Sequence, residues 1–546
     1  MFVRTQKSGR RTYLLVVENE WVDGKVKQKV LHRLGRLDVL QQSGQLDGLM
    51  LSMQRFSEKL TVLGGYENGQ VETTDTRKIG PALIFERLWR NIGIAKVLSH
   101  LLAERRFGFS VERAVFLTVL HRLFCPGSDR AAERWKRDYQ IKGVDKIALH
   151  QLYRAMGWLG QPLGAKEQTG ATGFSPRCTK DLIEEALFTS RRDMFSSLDL
   201  VFFDTTSIYF EGAGGETIGQ RGHSKDHRPD LNQMIVGVIL DDQGNPLCSE
   251  MWPGNVTDVK TLVPMVNRLK SRFSVGKVCI VADRGMISEQ TKQEIQKRQW
   301  QYILGVRMRR CQEVKEIVLS RSGRYQEVFA KSDRSKAPAP LKVKEVSVAG
   351  RRYMVCLNED QAVKDRCDRE AIVASLRDAL SQGDKSLIGN KGYRRFVRTQ
   401  GQRFVLDEQK IKDEARYDGK WVLTTNTKLS APEVALKYKQ LWMVEAIFRS
   451  MKSLLETRPI FHKCDATIRG HVFCSFLALL LCKELQDRLA HKGLILEWAD
   501  VIRALDHLVE MDLSVSGKPY TLRGPATTTV AQVFNTCGVA LPPTIR

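Results

Sequence analysis

The order of apolar runs between residues 198 and 283 constrains the fold more than any other feature of the chain. "LDLVFFDTTSIYFEG" (198–212) is a strand of aliphatic and aromatic residues with Asp204 set inside it. A glycine-rich turn leads to a second strand from 231, "LNQMIVGVIL", and "DDQGNP" turns the chain into a third, "LCSEMW". After "GNVTD", residues 259–273 read as a helix, and "KVCIVADRG" is a fourth strand that delivers Asp283 just past its end. An aspartate inside a strand can be a satisfied buried group, and one at a strand end a turn former. Two at matching topological positions say more. Carboxylates held close together repel, and a divalent cation that neutralises both is the economical reason to build such a pair.

A third acid lies in "YKQLWMVEAIFRSMK" (438–452). The strand "KWVLTTNTK" precedes it, and Ser430 with Glu433 forms a capping box with Pro432 in the first turn, which predicts a helix from 431. Tyr438, Leu441, Glu445, Phe448 and Lys452 recur at helical spacing on one face, which points Glu445 toward the same core as its apolar neighbours. A glutamate there needs a partner or a metal. The other reading places Glu445 on a solvated flank, paired with Arg449.

Charge narrows the partner. Lysine and arginine number 86 against 62 acids, a net +24, which favours a polyanion and nucleic acid first. The excess is distributed: residues 77–137 hold 13 basic and 5 acidic side chains, and residues 307–418 hold 26 and 17. The 11 cysteines contain no C-x-x-C, so neither a disulfide framework nor a zinc ribbon is indicated, and a reducing compartment follows. His462, Cys464, His471 and Cys474 match no zinc spacing and read as buried thiols beside histidines. The N-terminus lacks an apolar signal core, and the strongest apolar run, "VFCSFLALLLC" (472–482), is too short to span a bilayer, so no membrane partner is expected.

Elsewhere, residues 12–34 alternate as two strands around an Asp23-Gly24 turn. Ser110 caps "VERAVFLTVLHRLF", "CPGS" breaks the helix, and Ser128 caps "DRAAERWKRDY". This pair is either a packing element or a helix-turn-helix whose Arg130, Arg134, Lys136 and Arg137 meet DNA phosphates. Residues 161–176 read as a linker. The loop "EGAGGETIGQRG" follows a strand but opens no helix, so ATP is not implied.

The chain resembles the DDE transposases of bacterial insertion sequences, in the group with a Y-x2-R-x3-E-x6-K signature, which share a fold with RNase H and retroviral integrase. Asp204 in "FFDTTS", Asp283 in "VADRG" and Glu445 match the three acids, and Tyr438 and Lys452 the outer signature positions. Leu441 stands where the group has arginine. The resemblance implies a multi-domain α/β chain. Residues 1–75 form a small β-rich region, 76–160 a helical DNA-binding region, and 177–306 with 419–460 an RNase H-like mixed sheet with helices. Residues 307–418 are a β-rich insertion, and 461–546 a C-terminal helical region. It also implies that Asp204, Asp283 and Glu445 hold two Mg2+ ions, which Mn2+ can replace, for strand cleavage and 3′-hydroxyl transfer into target DNA. Tyr438, Lys452, Arg449 and Arg284 are the expected phosphate contacts, a homodimer the expected state on DNA, and the bacterial cytoplasm, at the nucleoid, the expected location. A nuclease or resolvase on the same fold, or an inactive DNA-binding descendant, would share much of this pattern.

Overall fold

The computed structural model describes the chain except residues 23–24, 55, 170, 172–174, 192–198, 274–277, 330–340, 383–392, 401–402 and 516, so the Asp23-Gly24 turn lies outside the described residues. Two compact units emerge: residues 1–84, 137–140 and 496–546 in one, and residues 85–136 and 141–495 in the other.

The larger unit is built on a nine-stranded mixed sheet. Third from one edge lies Leu200–Tyr209, flanked on the edge side by Gln233–Leu240 and then Pro246–Pro253, and on the other by Cys279–Ala282 and then Gln301–Gly305. The first three strands in chain order pair antiparallel, and the next two run parallel to the first. Leu200–Tyr209 is buried at every position but Asp204 and Tyr209, so the apolar run Leu200–Phe203 is followed by the buried polar residues Thr205, Thr206 and Ser207. The helix Asp258–Phe273 covers one face through Leu262, Val266 and Leu269, packed on Val201, Phe203 and Ile235. In the parallel pair, Leu200 faces Cys279 and Phe203 faces Ala282. One step further in that register lie Asp204 and Asp283, on strands about 4.8 Å apart.

The segment 307–418, expected to be β-rich, is mixed. The hairpin Leu341–Val348 and Arg351–Leu357 pairs with Lys420–Thr425 and extends the central sheet, but Glu359–Ser381 is a 23-residue helix. That helix escapes a hydropathy reading because only Val373 and Leu376 along it are buried.

The helix Asp465–His491 has 27 residues, much longer than its 11-residue apolar run indicates, because polar residues extend it at both ends. It is long and apolar enough by length and composition to cross a membrane, yet 78% of that window is buried in the fold, against Val111–Phe124 and Leu149–Leu159.

Charge also holds this unit together. From the helix Thr179–Arg191 come Lys180, Asp181 and Glu184, from the strand Pro246–Pro253 Glu250, and from the helix Asp258–Phe273 Arg268 and Arg272, all buried. Arg272 reaches Glu184 at 2.6 Å, Glu185 at 2.8 Å and Glu250 at 3.0 Å, and Arg268 reaches Asp181 at 3.1 Å. Burial works against ionising Asp181, but Arg272, Lys180 and Arg268 outweigh it and hold that carboxyl below the ordinary range.

In the smaller unit, Phe2–Ser8, Arg11–Val22 and Lys25–Arg36 form a three-stranded antiparallel sheet followed by short helices. The region after 461, expected to be helical, contributes a hairpin here: Val509–Val515 and Lys518–Arg523, with Val71–Lys78 on its outer edge. Polar alternation in "VEMDLSV" is the strand signal that a helical reading passes over.

Candidate active site

Asp204, Asp283 and Glu445 line one open cavity of about 250 Å3, together with Trp421, Tyr438 and Leu441. The three acids come from an inner strand, the end of its parallel neighbour, and a helix more than 150 residues later. Glu445 does not turn into the core as its spacing predicts. Leu441 and Phe448 are buried, whereas Glu445 is exposed to the cavity. The reason is that the expected single helix is two, Ala431–Lys439 and Trp442–Arg449, followed by the π-helical turn Ser450–Leu454. The joint is a tight turn, with the Leu441 N–H donating to the Tyr438 carbonyl at 3.0 Å, so regular 3.6-residue spacing does not run through the segment. Its start is as the sequence indicates, for the Ser430 N–H donates to Glu433 Oε2 at 2.8 Å. Glu445 forms no ion pair with Arg449 among the described residues.

Burial pushes Asp204 up to about 6, with Asp283 and Asp258 adding to the shift and Lys225 and the Thr205 N–H opposing it. A half-buried carboxylate beside two others is a site with unmet demand for a cation, and an all-oxygen donor set on an open cavity suits a hard divalent ion such as Mg2+ or Mn2+.

Tyr438 does not stand free for a phosphate. Its hydroxyl donates to Asp283 Oδ1 at 2.9 Å, and burial together with Asp283 raises its pKa. Gly305, at the end of its strand, makes room for this contact: an added Cβ would lie 2.4 Å from the Tyr438 hydroxyl and 2.9 Å from the Arg284 nitrogen. Gly305→Ala is therefore expected to cost about 1–3 kcal/mol by overpacking. Adding Tyr438→Phe should recover part of that in thermal melts, whereas no recovery would place the strain elsewhere.

Lys452 is committed as well. Its ammonium lies 2.7 Å from Asp226 Oδ1, which Arg458 also contacts. Arg284 lines a separate cavity with Arg309, Arg369 and Arg395, and Arg449 is exposed near the end of its helix. The Ser110 and Ser128 caps form as expected, accepting from Arg113 N at 3.3 Å and Ala131 N at 3.2 Å. Arg130, Arg134 and Arg137 are exposed, but Lys136 is a correction. It is buried and donates to the carbonyls of Val144, Asp145 and Ile147 at 2.5–2.9 Å, which uses up its three N–H groups.

Three residues near the site carried no clear sequence signal: Lys225, Asp226 and Asp258. Asp258 ends the "GNVTD" run, the one hint available. Trp421 lines the cavity, and its indole N–H is buried without an acceptor among the described residues.

Two other clusters are closed to ligands. Asp129, His462 and His471 bring donor atoms within 4.8 Å of one another. However, Arg122 Nη2 lies 2.8 Å from His471 Nδ1, and His471 Nε2 lies 3.2 Å from the Thr457 carbonyl, so both ring nitrogens are spoken for. The glycine loop cradles a carboxylate of the chain itself: Asp465 accepts from Glu216 N at 2.9 Å and Thr217 N at 3.3 Å. At Gly215, with φ +85°, a Cβ would meet Asp465 Oδ1 at 2.2 Å.

Sheet and cavity together define a mixed α/β protein with a three-carboxylate centre. Residues 196–481 match the transposase DDE domain, and residues 2–67 match the N-terminal domain of IS1634 family transposases. The chain belongs to the DDE transposases of insertion sequences. No curated protein matches it. Among solved structures it is similar to the piggyBac transposase in a synaptic complex with hairpin DNA, at 12% identity and a TM-score of 0.38, with 78% of this chain and 79% of that one covered.

Proposed function

We propose that this transposase binds the ends of its insertion sequence, cleaves a DNA strand there and transfers the freed 3′-hydroxyl into target DNA. The observation that carries the proposal is the convergence of Asp204, Asp283 and Glu445 on one open cavity from three distant segments. The strand order, third, second, first, fourth and fifth across the core, supports an RNase H-like reading of 177–306 with 419–460.

Asp204, Asp283 and Glu445 would hold two divalent ions. When bound, such ions lower the pKa of the attacking water or 3′-hydroxyl and neutralise charge on the scissile phosphate. The protein's part is positioning. The Thr205 N–H donates to Asp204 Oδ1 at 2.7 Å, and Tyr438 fixes one oxygen of Asp283, so each aspartate presents its remaining oxygen in a set direction. The buried indole N–H of Trp421 offers a donor to a phosphate or base oxygen entering the cavity. Exposed Arg130, Arg134 and Arg137 supply duplex contacts, with a homodimer holding both ends and the cytoplasmic nucleoid as the setting.

The test is a joining assay with purified protein, Mg2+ or Mn2+, and a duplex cut from the DNA flanking its own gene and labelled at the 3′ end. Label transferred to a target plasmid is the expected result. Cleaved duplex without transfer would make the protein a nuclease, and neither product would remove the proposal.

A further inference from the structure

Four carboxylates, Asp204, Asp258, Asp283 and Glu445, gather at and beside the cavity. Like charges at close range are costly when no divalent ion is present. The loop 221–230 brings a cation to them. The Lys225 ammonium donates to the Thr205 carbonyl at 2.6 Å and to its hydroxyl at 3.2 Å, and lies 3.4 Å from Asp258 Oδ2. The Thr205 hydroxyl in turn donates to Asp258 Oδ1 at 2.7 Å. Thr205 directly follows Asp204 in the strand, so the ammonium sits one residue from the first acid.

This cation is held in place. The Lys225 N–H donates to Ser207 Oγ at 2.7 Å, on the same strand as Asp204. The next side chain, Asp226, points away into a nearly closed site, 6% exposed, where Lys452 and Arg458 converge on it. Both come from the segment that follows Glu445. The loop is thus pinned to the strand of the first acid and to the chain beyond the third, with the Lys225 ammonium bonded to Thr205. Lys439, the cation on the cavity wall itself, is exposed and screened by water.

We propose that Lys225 is a built-in counter-cation of the carboxylate centre, which stabilises the metal-free site and lowers its affinity for divalent ions until a DNA phosphate enters. A phosphate adds negative charge beside Lys225, so ion and DNA favour each other's binding through this residue. The inference rests on the reading that Asp204, Asp283 and Glu445 hold divalent ions.

Mn2+ binding to the DNA-free, full-length protein tests it, with free Mn2+ followed by electron paramagnetic resonance. Lys225→Met, which keeps the length and removes the charge, should bind Mn2+ about tenfold more tightly than wild type. Lys225→Arg should match wild type. A merely structural lysine would give the opposite sign, weaker binding in the Met variant. Equal or weaker Mn2+ binding by a Lys225→Met protein with a wild-type circular dichroism spectrum overturns the counter-cation role. If wild-type binding is lost in Asp204→Ala, that result leaves the metal reading standing. No Mn2+ binding by wild type would overturn both.

Discussion

Asp204→Asn is expected to raise the melting temperature of the metal-free protein at pH 7 while reducing metal-dependent strand cleavage by about 10³-fold or more. The two effects share one cause. The Asp204 carboxyl titrates near 6 in the fold, above the ordinary value of 3.8, because burial and the neighbouring carboxylates disfavour its charge. The folded state therefore binds more protons than the unfolded state between about pH 3.8 and 6, and stability falls as pH rises through that window. Above it the full cost is present, about 3 kcal/mol. Asparagine keeps the shape without the charge, so its advantage should be largest at pH 7 and shrink toward pH 4.5. Melts of both proteins across that range, with and without Mg2+, check the account. Mg2+ should stabilise wild type and not the variant. A variant less stable than wild type at pH 7 would show that the carboxylate is not held at a cost.

Arg272→Leu should be the most damaging single change in the core of the larger unit, at about 3–5 kcal/mol. The side chain is 2% exposed and contacts Asp181, Glu184, Glu185 and Glu250. Burial lowers the tendency of this guanidinium to stay charged, but the acids around it more than compensate. Removing it strands Glu184 and Glu250 in a closed environment, where Lys180 and Arg268 are the cations left to offset them among the described residues. The helix Asp258–Phe273 carries the buried Arg268 and Arg272 beside its sheet-covering stripe of Leu262, Val266 and Leu269, so its loss would disturb the strand that bears Asp204. A urea midpoint shifted by less than 1 kcal/mol equivalent would mean that the network contributes little. Arg272→Lys should recover only part of the loss, because an ammonium cannot span four carboxylates as a planar guanidinium does.

The core sheet was legible because its strands are buried on both faces and read as largely apolar runs. A polar residue within such a run, as at Asp204, then stands out. The helix segment was legible at its start, where capping chemistry is local. Its course was not: a tight turn at 440–441 and a π-helical turn at 450 are set by tertiary packing, and they carried Glu445 out of the core and Lys452 onto Asp226. Lys136 was misjudged for a related reason. A lysine in a basic helix looks solvated until the loop that wraps its ammonium in carbonyls is seen. Lys225, Asp226 and Asp258 lie in loops or at a helix start, where spacing carries no periodic signal, so only their placement reveals them.

The central claim is that three carboxylates distant in the chain act as one divalent-metal centre for DNA strand transfer. Its most direct test is the 3′-end joining assay on Asp204→Ala, Asp283→Ala and Glu445→Ala, with binding of the same duplex measured alongside. Each variant should bind the duplex as wild type does and join no detectable label to target DNA. A Glu445→Ala protein that still joins ends at the wild-type rate would contradict it.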